Sequence, residues 1–306
     1  MPAYNSSHFL QQLVGRLEPV LQATGEGFEL IIVNDGSRDN TWEVVQDLAG
    51  KRSWVRGMNM MRNYGQHNAL LAGIRAARFD KVMTLDDDLQ HPPEEIPKLL
   101  AKLNEGFDVV YGPPQQEQHG FFRDMASVIT KLALQGMMGA SNARNVSAFR
   151  VFRTCLREAF ASYQSPTVCL DVLLTWATTQ FAAERVRHDP RTTGTSNYTL
   201  RKLMRHALTM MTGFTAMPLR AASFIGFGFT LFGAGVLAYV IVRYLLSGTT
   251  AAGFPFLASI IAIFSGAQLF ALGIIGEYLA RVHFRTMDRP AYTVKESTGT
   301  SFVSAP

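Results

Sequence analysis

The chain has 306 residues, 47% of them hydrophobic and 17% charged, with a formal net charge of +5. That length holds one large domain or two small ones, and the positive balance favours an anionic partner without naming it. The two cysteines, Cys155 and Cys169, match no metal-site spacing and exclude a disulfide framework, which fits a reducing cytosol.

The first half alternates in type. Phe28 to Val33 (FELIIV) reads as a buried strand, and DNTWEVVQDLAG after it opens on a capping residue and reads as a helix. Val55 to Met60 is strand-like, Gly65 to Ala77 helical, and KVMTL from Lys81 a strand again. PPEEIPKLLAKL reads as a helix with prolines in its first turn, where no amide donor is missed. FDVVYG is another strand. This order predicts an α/β domain, a largely parallel sheet covered by helices, with ligands beyond the carboxyl ends of the strands.

Two polar clusters fall at such ends: NDGSRDN after Val33, and Asp86, Asp87 and Asp88 after Leu85. Carboxylates at a strand end can hold a hard cation through oxygen ligands. In an extended segment Asp86 and Asp88 point to one side and Asp87 to the other. Taken alone, the same residues also fit a solvated acidic turn or a cap for the following helix. His67, at the start of a helix beside this cluster, reads as an ordinary first-turn residue rather than a catalyst.

Composition changes after about residue 215. Ala221 to Val242 and Phe254 to Gly276 carry no charge, and each exceeds the roughly 20 residues needed to cross a bilayer. Lys202, Arg205 and Arg220 precede them and Arg281, Arg285 and Arg289 follow, while the loop between carries one basic residue. The positive-inside rule therefore places both flanks in the cytoplasm. Two amphipathic segments, Phe121, Met125, Val128 and Leu132 with Arg123 and Lys131 opposite, and Leu200 to Met211, predict helices lying at the membrane interface.

PAYN (Pro2 to Asn5), VNDGSRDNT, RNYGQHNALLAG, LDDDLQHPPEEIP, FRVFR (from Phe149), Gly194-x-Ser196-x-Tyr198 and MPLR together resemble glycosyltransferase family 2 with the GT-A fold. The likeness runs over nearly the whole chain and is greatest to the polyprenyl-phosphate branch, the undecaprenyl-phosphate formamido-arabinose transferases and glucosyltransferases. It implies a cytoplasmic catalytic domain over residues 1–199, including an interface helix near 121–138, a second interface helix over 200–218, two membrane helices within 219–281, and a cytoplasmic tail over 282–306. It implies a protein of the bacterial inner membrane with both termini in the cytoplasm.

The resemblance also implies roles. Pro2, Tyr4 and Asn5 edge the nucleotide pocket, and Asp35 reads the base. Asp86 and Asp88 position the nucleotide sugar through ribose and metal, Gln90 is a further ligand, and the cofactor is Mg²⁺ or Mn²⁺. Arg123 and Arg150 lie near the donor and acceptor phosphates, as does Ser147. Arg191, Gly194, Ser196 and Tyr198 belong to a loop that closes near the site. The implied partners are a nucleotide sugar, a polyprenyl phosphate and the membrane; no nucleic acid is expected, and self-association is left open.

Three features depart from the family pattern. Met1 directly precedes PAYN, so the first strand is nearly absent. NVSAFR stands where many relatives read D-x-G-D-F-R, which puts Asn145 and Ala148 at two acidic positions. Asn197 replaces the usual lysine of the closing loop. Loss of the base favours a phosphate acceptor, which is already largely ionised at neutral pH because its second pKa is about 6. Asp171 is the fallback base if the acceptor is a neutral alcohol. The expected reaction is inverting, metal-dependent transfer from a UDP-linked sugar to undecaprenyl phosphate. The alternatives are a GDP-mannose-dependent transferase or a catalytically weak scaffold; two spans disfavour a processive polysaccharide synthase.

Overall fold

A computed structural model describes residues 1–115, 145–189, 216–247, 254–287 and 289–298. These fall in two units, one drawn from Met1–Leu200 and Asp288–Pro306, the other from Arg201–Met287. The interface segment expected at 121–138 lies outside the described residues, as do the closing loop and residues 200–215 of the segment expected at 200–218, whose last two residues open the first helix of the second unit.

The first unit holds two mixed sheets. In one, β1 (Pro2–Ala3), β2 (Leu30–Asn34) and β3 (Val55–Met60) run parallel, and β8 (Val294–Ser297) adds antiparallel to β3. In the other, β6 (Arg150–Arg153) lies between β4 (Lys81–Thr84) and β5 (Val109–Tyr111), antiparallel to both, and β7 (Phe181–Ala183) runs parallel to β5. β2 and β3 are buried along their full lengths; β2 reads as a nearly continuous apolar run, whereas β3 buries Arg56 and Asn59 among its apolar residues.

Helices α1 (Ser7–Ala23), α2 (Thr41–Lys51), α3 (Gln66–Ala76) and α4 (Ile96–Asn104) connect these strands. α1 buries Leu10, Leu13, Val14 and Leu17, one stripe at helical spacing, against α2 and the sheet residues Ile32 and Val55. PPEEIP does not join α4 as one helix: Pro93–Glu95 forms a 3₁₀ turn, and α4 begins at Ile96 with Pro97 in its first turn. α5 (Leu170–Ala177) contributes Leu170, Val172, Leu173 and Leu174 to the interior.

β1 is only two residues long, as the sequence implies. Pro2 and Ala3 pair with Val33 and Asn34, and Val33 donates its amide to Met1 O at 2.9 Å. Below Met1 a cavity of about 470 Å³ separates the facing segments Phe28–Ile31 and Lys81–Leu85, with Leu70 and Ile74 of α3 along its side. None of Asp86, Asp88 or Arg150 lines it, so this cavity is not the site of chemistry.

The second unit is a helical hairpin, α6 (Met217–Ser247) and α7 (Phe254–Thr286). Pro218–Leu246 and Ile263–Phe284 are long and apolar enough to cross a membrane, and neither span is buried inside the protein. Phe224, Leu245 and Leu246 are 75–80% exposed, an apolar surface of the kind that a lipid environment covers. The two helices meet where Gly233 faces Phe264: a Cβ there would stand 3.0 Å from the ring, so glycine permits the approach.

Candidate active site

The parallel strands β2 and β3 of one sheet and β4 of the other deliver their carboxyl ends to one side of the first unit, where side chains join the segments that follow them. β2 ends in Asn34 and Asp35. The Asp35 carboxylate accepts the backbone amides of Tyr64 at 2.7 Å and Gly65 at 2.8 Å, tying the β2 end to the loop after β3. Burial raises its pKa, opposed by those two amides and by Arg62. The turn depends on Gly36, which has a φ of +64°; a Cβ there would lie 2.4 Å from the Arg62 backbone.

The PAYN segment lies beside this turn. Asn5 donates its amide to Ser37 Oγ at 2.9 Å and accepts the Arg38 amide at 2.9 Å, while Tyr4 is exposed. Pro2 is a sheet residue, paired with Val33.

β4 ends at Thr84, two residues before the acidic run. Ser6 Oγ donates to the Asp87 carboxylate, which is thereby turned toward the PAYN segment. Asp86 accepts the Gln66 side-chain amide at 2.7 Å. Asp88 accepts the amide of Gln90 at 3.2 Å across a turn in which Leu89 has a φ of +59°. The pKa of Asp86 is pushed up to about 6, chiefly by burial, then by Asp88 and Asp87, with Arg150 opposing. Burial also raises that of Asp87. Crowded carboxylates that hold one another's protons are a donor set that suits a divalent cation, and oxygen ligands suit Mg²⁺ or Mn²⁺.

Arg150 reaches this cluster because β6 runs antiparallel to β4. Its first residue stands beside the last of β4, Thr84, and on its other side beside Tyr111. The side chain is 3% exposed and pairs with Asp171 of α5. Ala148, at the position of the missing acid, contributes its carbonyl to Thr84 Oγ1 at 2.6 Å. Ser147 Oγ accepts the Phe149 amide at 3.2 Å. Arg123, Arg191, Gly194, Ser196 and Tyr198 lie outside the described residues.

The sequence reading does not single out Gln66 or His91. Gln66 sits in the NYGQH motif, yet only the fold shows it meeting Asp86. His67 accepts the Leu170 amide on Nδ1 at 3.2 Å, which pins the start of α5 to α3. His91 stacks on Phe149 with ring centres 5.3 Å apart and meets His188 edge-on at 5.0 Å. Burial and His188 push its pKa down to about 4, so it is neutral at physiological pH.

His67, Cys169 and Asp171 also bring ligand atoms within 4.8 Å of one another. This is not a cation site in chemical terms. The Asp171 carboxylate is already bound by Arg150 and by Tyr111 OH, and burial raises the Cys169 thiol pKa to about 12.

The sequence profile of the family described as Glycosyl transferase family 2 matches residues 1–162, and the chain belongs to that family. It is a glycosyltransferase. The undecaprenyl-phosphate 4-deoxy-4-formamido-L-arabinose transferase of Pseudomonas aeruginosa (strain LESB58) is 34% identical, over 96% of this chain and 88% of that protein. The transferase of the same name from Shewanella sediminis is 33% identical, over 97% and 90%. Among solved structures, glucosyl-3-phosphoglycerate synthase from Mycobacterium tuberculosis, in complex with Mn²⁺, UDP-glucose and phosphoglyceric acid, aligns with a TM-score of 0.50 and 17% identity, over 69% of this chain and 75% of that one. That likeness is one of fold, the GT-A arrangement that the motifs imply.

Proposed function

We propose that the chain transfers one sugar from a UDP-linked donor to undecaprenyl phosphate, with inversion, at the cytoplasmic face of the bacterial inner membrane. The observation that carries this is the meeting of Asp86, with its pKa held near 6, the neighbouring Asp88, and the buried Arg150 at the end of β4. The names of the Pseudomonas and Shewanella relatives support the lipid phosphate. The Mn²⁺ and UDP-glucose bound by the synthase of similar fold support the donor class and the cation.

In this reading Asp86, Asp88 and Gln90 hold Mg²⁺ or Mn²⁺, which when bound supplies positive charge against the donor diphosphate. Arg150 donates to the same diphosphate, whose charge grows as the sugar leaves. The acceptor phosphate oxygen forms a bond to the anomeric carbon, the bond from that carbon to the β-phosphate oxygen breaks, and UDP departs with the electron pair. Attack opposite the leaving group inverts the centre. A phosphate with its second pKa at about 6 is largely dianionic at neutral pH and does not need the base that Ala148 cannot provide. Arg123 and the loop around Ser196 belong to acceptor binding in this reading, and Pro2, Tyr4, Asn5 and Asp35 to the nucleotide.

The test is transfer from a panel of UDP- and GDP-linked sugars to undecaprenyl phosphate or to undecaprenol, in one detergent, with Mn²⁺ or Mg²⁺ and mass analysis of the lipid product. The reading expects a monoglycosylated lipid phosphate from one UDP-sugar and a rate that follows ionisation of the acceptor. Equal or better transfer to the neutral alcohol would overturn the phosphate-acceptor mechanism, and nucleotide or lipid binding without any product would favour a scaffold.

A further inference from the structure

We propose that Asp171 is a positioning residue for the transfer reaction, acting through Arg150 to aim one guanidinium N–H at the donor diphosphate; this rests on the functional reading above. The observations are geometric. Arg150, Asp171 and Tyr111 are 2%, 5% and 1% exposed. A single oxygen of Asp171, Oδ1, accepts both Arg150 Nη1 and, at 3.0 Å, Tyr111 OH. The guanidinium carbon lies 5.7 Å from the Tyr111 ring centre. Two neighbouring strands fix the Arg150 backbone, opposite Thr84 and Tyr111, and Asp171 fixes the head of the side chain.

That anchoring leaves one donor over. Arg150 Nε is buried and has no hydrogen-bond partner among the described residues. A buried donor without a partner is costly, and such groups are retained where a ligand completes them. The guanidinium is planar, so holding Nη1 on Asp171 sets the direction in which Nε points. Arg150 is the register partner of Thr84, two residues before Asp86, which brings its side chain to the strand end that carries the acidic run. An oxyanion ligand is the chemistry that satisfies it.

A purely structural ion pair is the competing explanation. Buried ion pairs add little net stability over apolar residues of the same size, so stability alone does not account for one beside a carboxylate cluster. A role for Asp171 as general base is disfavoured because its Oδ1 already takes two donors. Its helix is itself held in place: the Leu170 amide donates to His67 on α3, whose preceding residue, Gln66, holds Asp86.

The experiment is a double-mutant cycle on the full-length protein in detergent, comparing wild type, R150Q, D171N and R150Q/D171N, with Y111F alongside. Four quantities are read: kcat and KM for the UDP-sugar, the affinity for UDP with Mn²⁺, and Tm. Loss of one charge-assisted contact predicts that R150Q and D171N each lower kcat/KM by about 10- to 100-fold. The double variant should be no worse than R150Q, since Asp171 has nothing to aim once Arg150 is gone. Y111F should lower the same ratio by less, with a fall in Tm no larger than the loss of one buried hydrogen bond gives. The inference is overturned if D171N changes only Tm, if the two losses multiply in the double variant, or if Y111F leaves kcat/KM unchanged. If D171N does not fold, R150Q, R150Q/D171N, whose charges are balanced, and Y111F still decide the matter. If wild type transfers no sugar, the functional reading fails, while the same cycle read as UDP affinity continues to test the positioning role.

Discussion

Gln66, the first residue of α3, donates its side-chain amide to Asp86 at 2.7 Å, and so joins the loop after β3 to the acidic run after β4. The contact favours the ionised carboxylate, while burial and two neighbouring aspartates favour the protonated one and win, leaving the pKa at about 6.

A pH dependence follows. An unfolded aspartate releases its proton near roughly pH 3.9, whereas folded Asp86 keeps it to about 6. The fold binds that proton more tightly, so without metal Asp86 stabilises at low pH, and this contribution is lost as pH rises through about 6. Mn²⁺ should raise Tm above that point and lose its effect near about pH 5. Asp86→Asn should remove the dependence, and Gln66→Ala should move the midpoint upward. A Tm response to Mn²⁺ that is the same on both sides of the transition would contradict the assignment.

Asp88→Asn should cost turnover far more than stability. Asp88 accepts the backbone amide of Gln90, which an asparagine oxygen can also accept, but the charge that holds a cation is gone. The check is a titration of rate against Mn²⁺ beside a thermal melt. An unchanged rate at limiting metal would remove Asp88 from the ligand set.

Topology is testable by labelling. If both flanks are cytoplasmic, a cysteine at Ser247, at the end of α6, should react with an impermeant thiol reagent from outside intact cells. The native exposed thiol, Cys155, should react only after the membrane is opened. The opposite order would reverse the orientation.

The polar network on β3 predicts a stability effect. Asn34 donates to Asn59 Oδ1 at 2.8 Å, and Asn59 donates to Glu296 of β8 at 2.8 Å. Asn59→Ala leaves the buried Asn34 amide without that acceptor and removes a side-chain tie to β8. A loss of about 1–3 kcal/mol is expected in chemical denaturation, with increased amide exchange over Val294–Ser297. A variant as stable as wild type would show that Asn34 finds another acceptor.

Sequence alone determined most of the elements and the polar clusters at their ends. Buried strands and amphipathic helices leave periodic apolar patterns, so β2 to β5, α2 and α3 fall where those patterns place them, and so does the acidic run after β4. The two apolar spans are equally direct, because a bilayer imposes length and composition together. Tertiary structure decided which strands are neighbours. Side-chain alternation encodes the face that a strand buries, not the strand beside it, and so nothing local announces that β6 enters between β4 and β5 or that the short polar VKES joins β3. Those pairings bring Arg150 to Thr84 and Tyr111, and the packing of α5 brings it Asp171. A buried ion pair between residues on separate elements has no sequence period to betray it; it exists only once the sheet and the helix have closed around it.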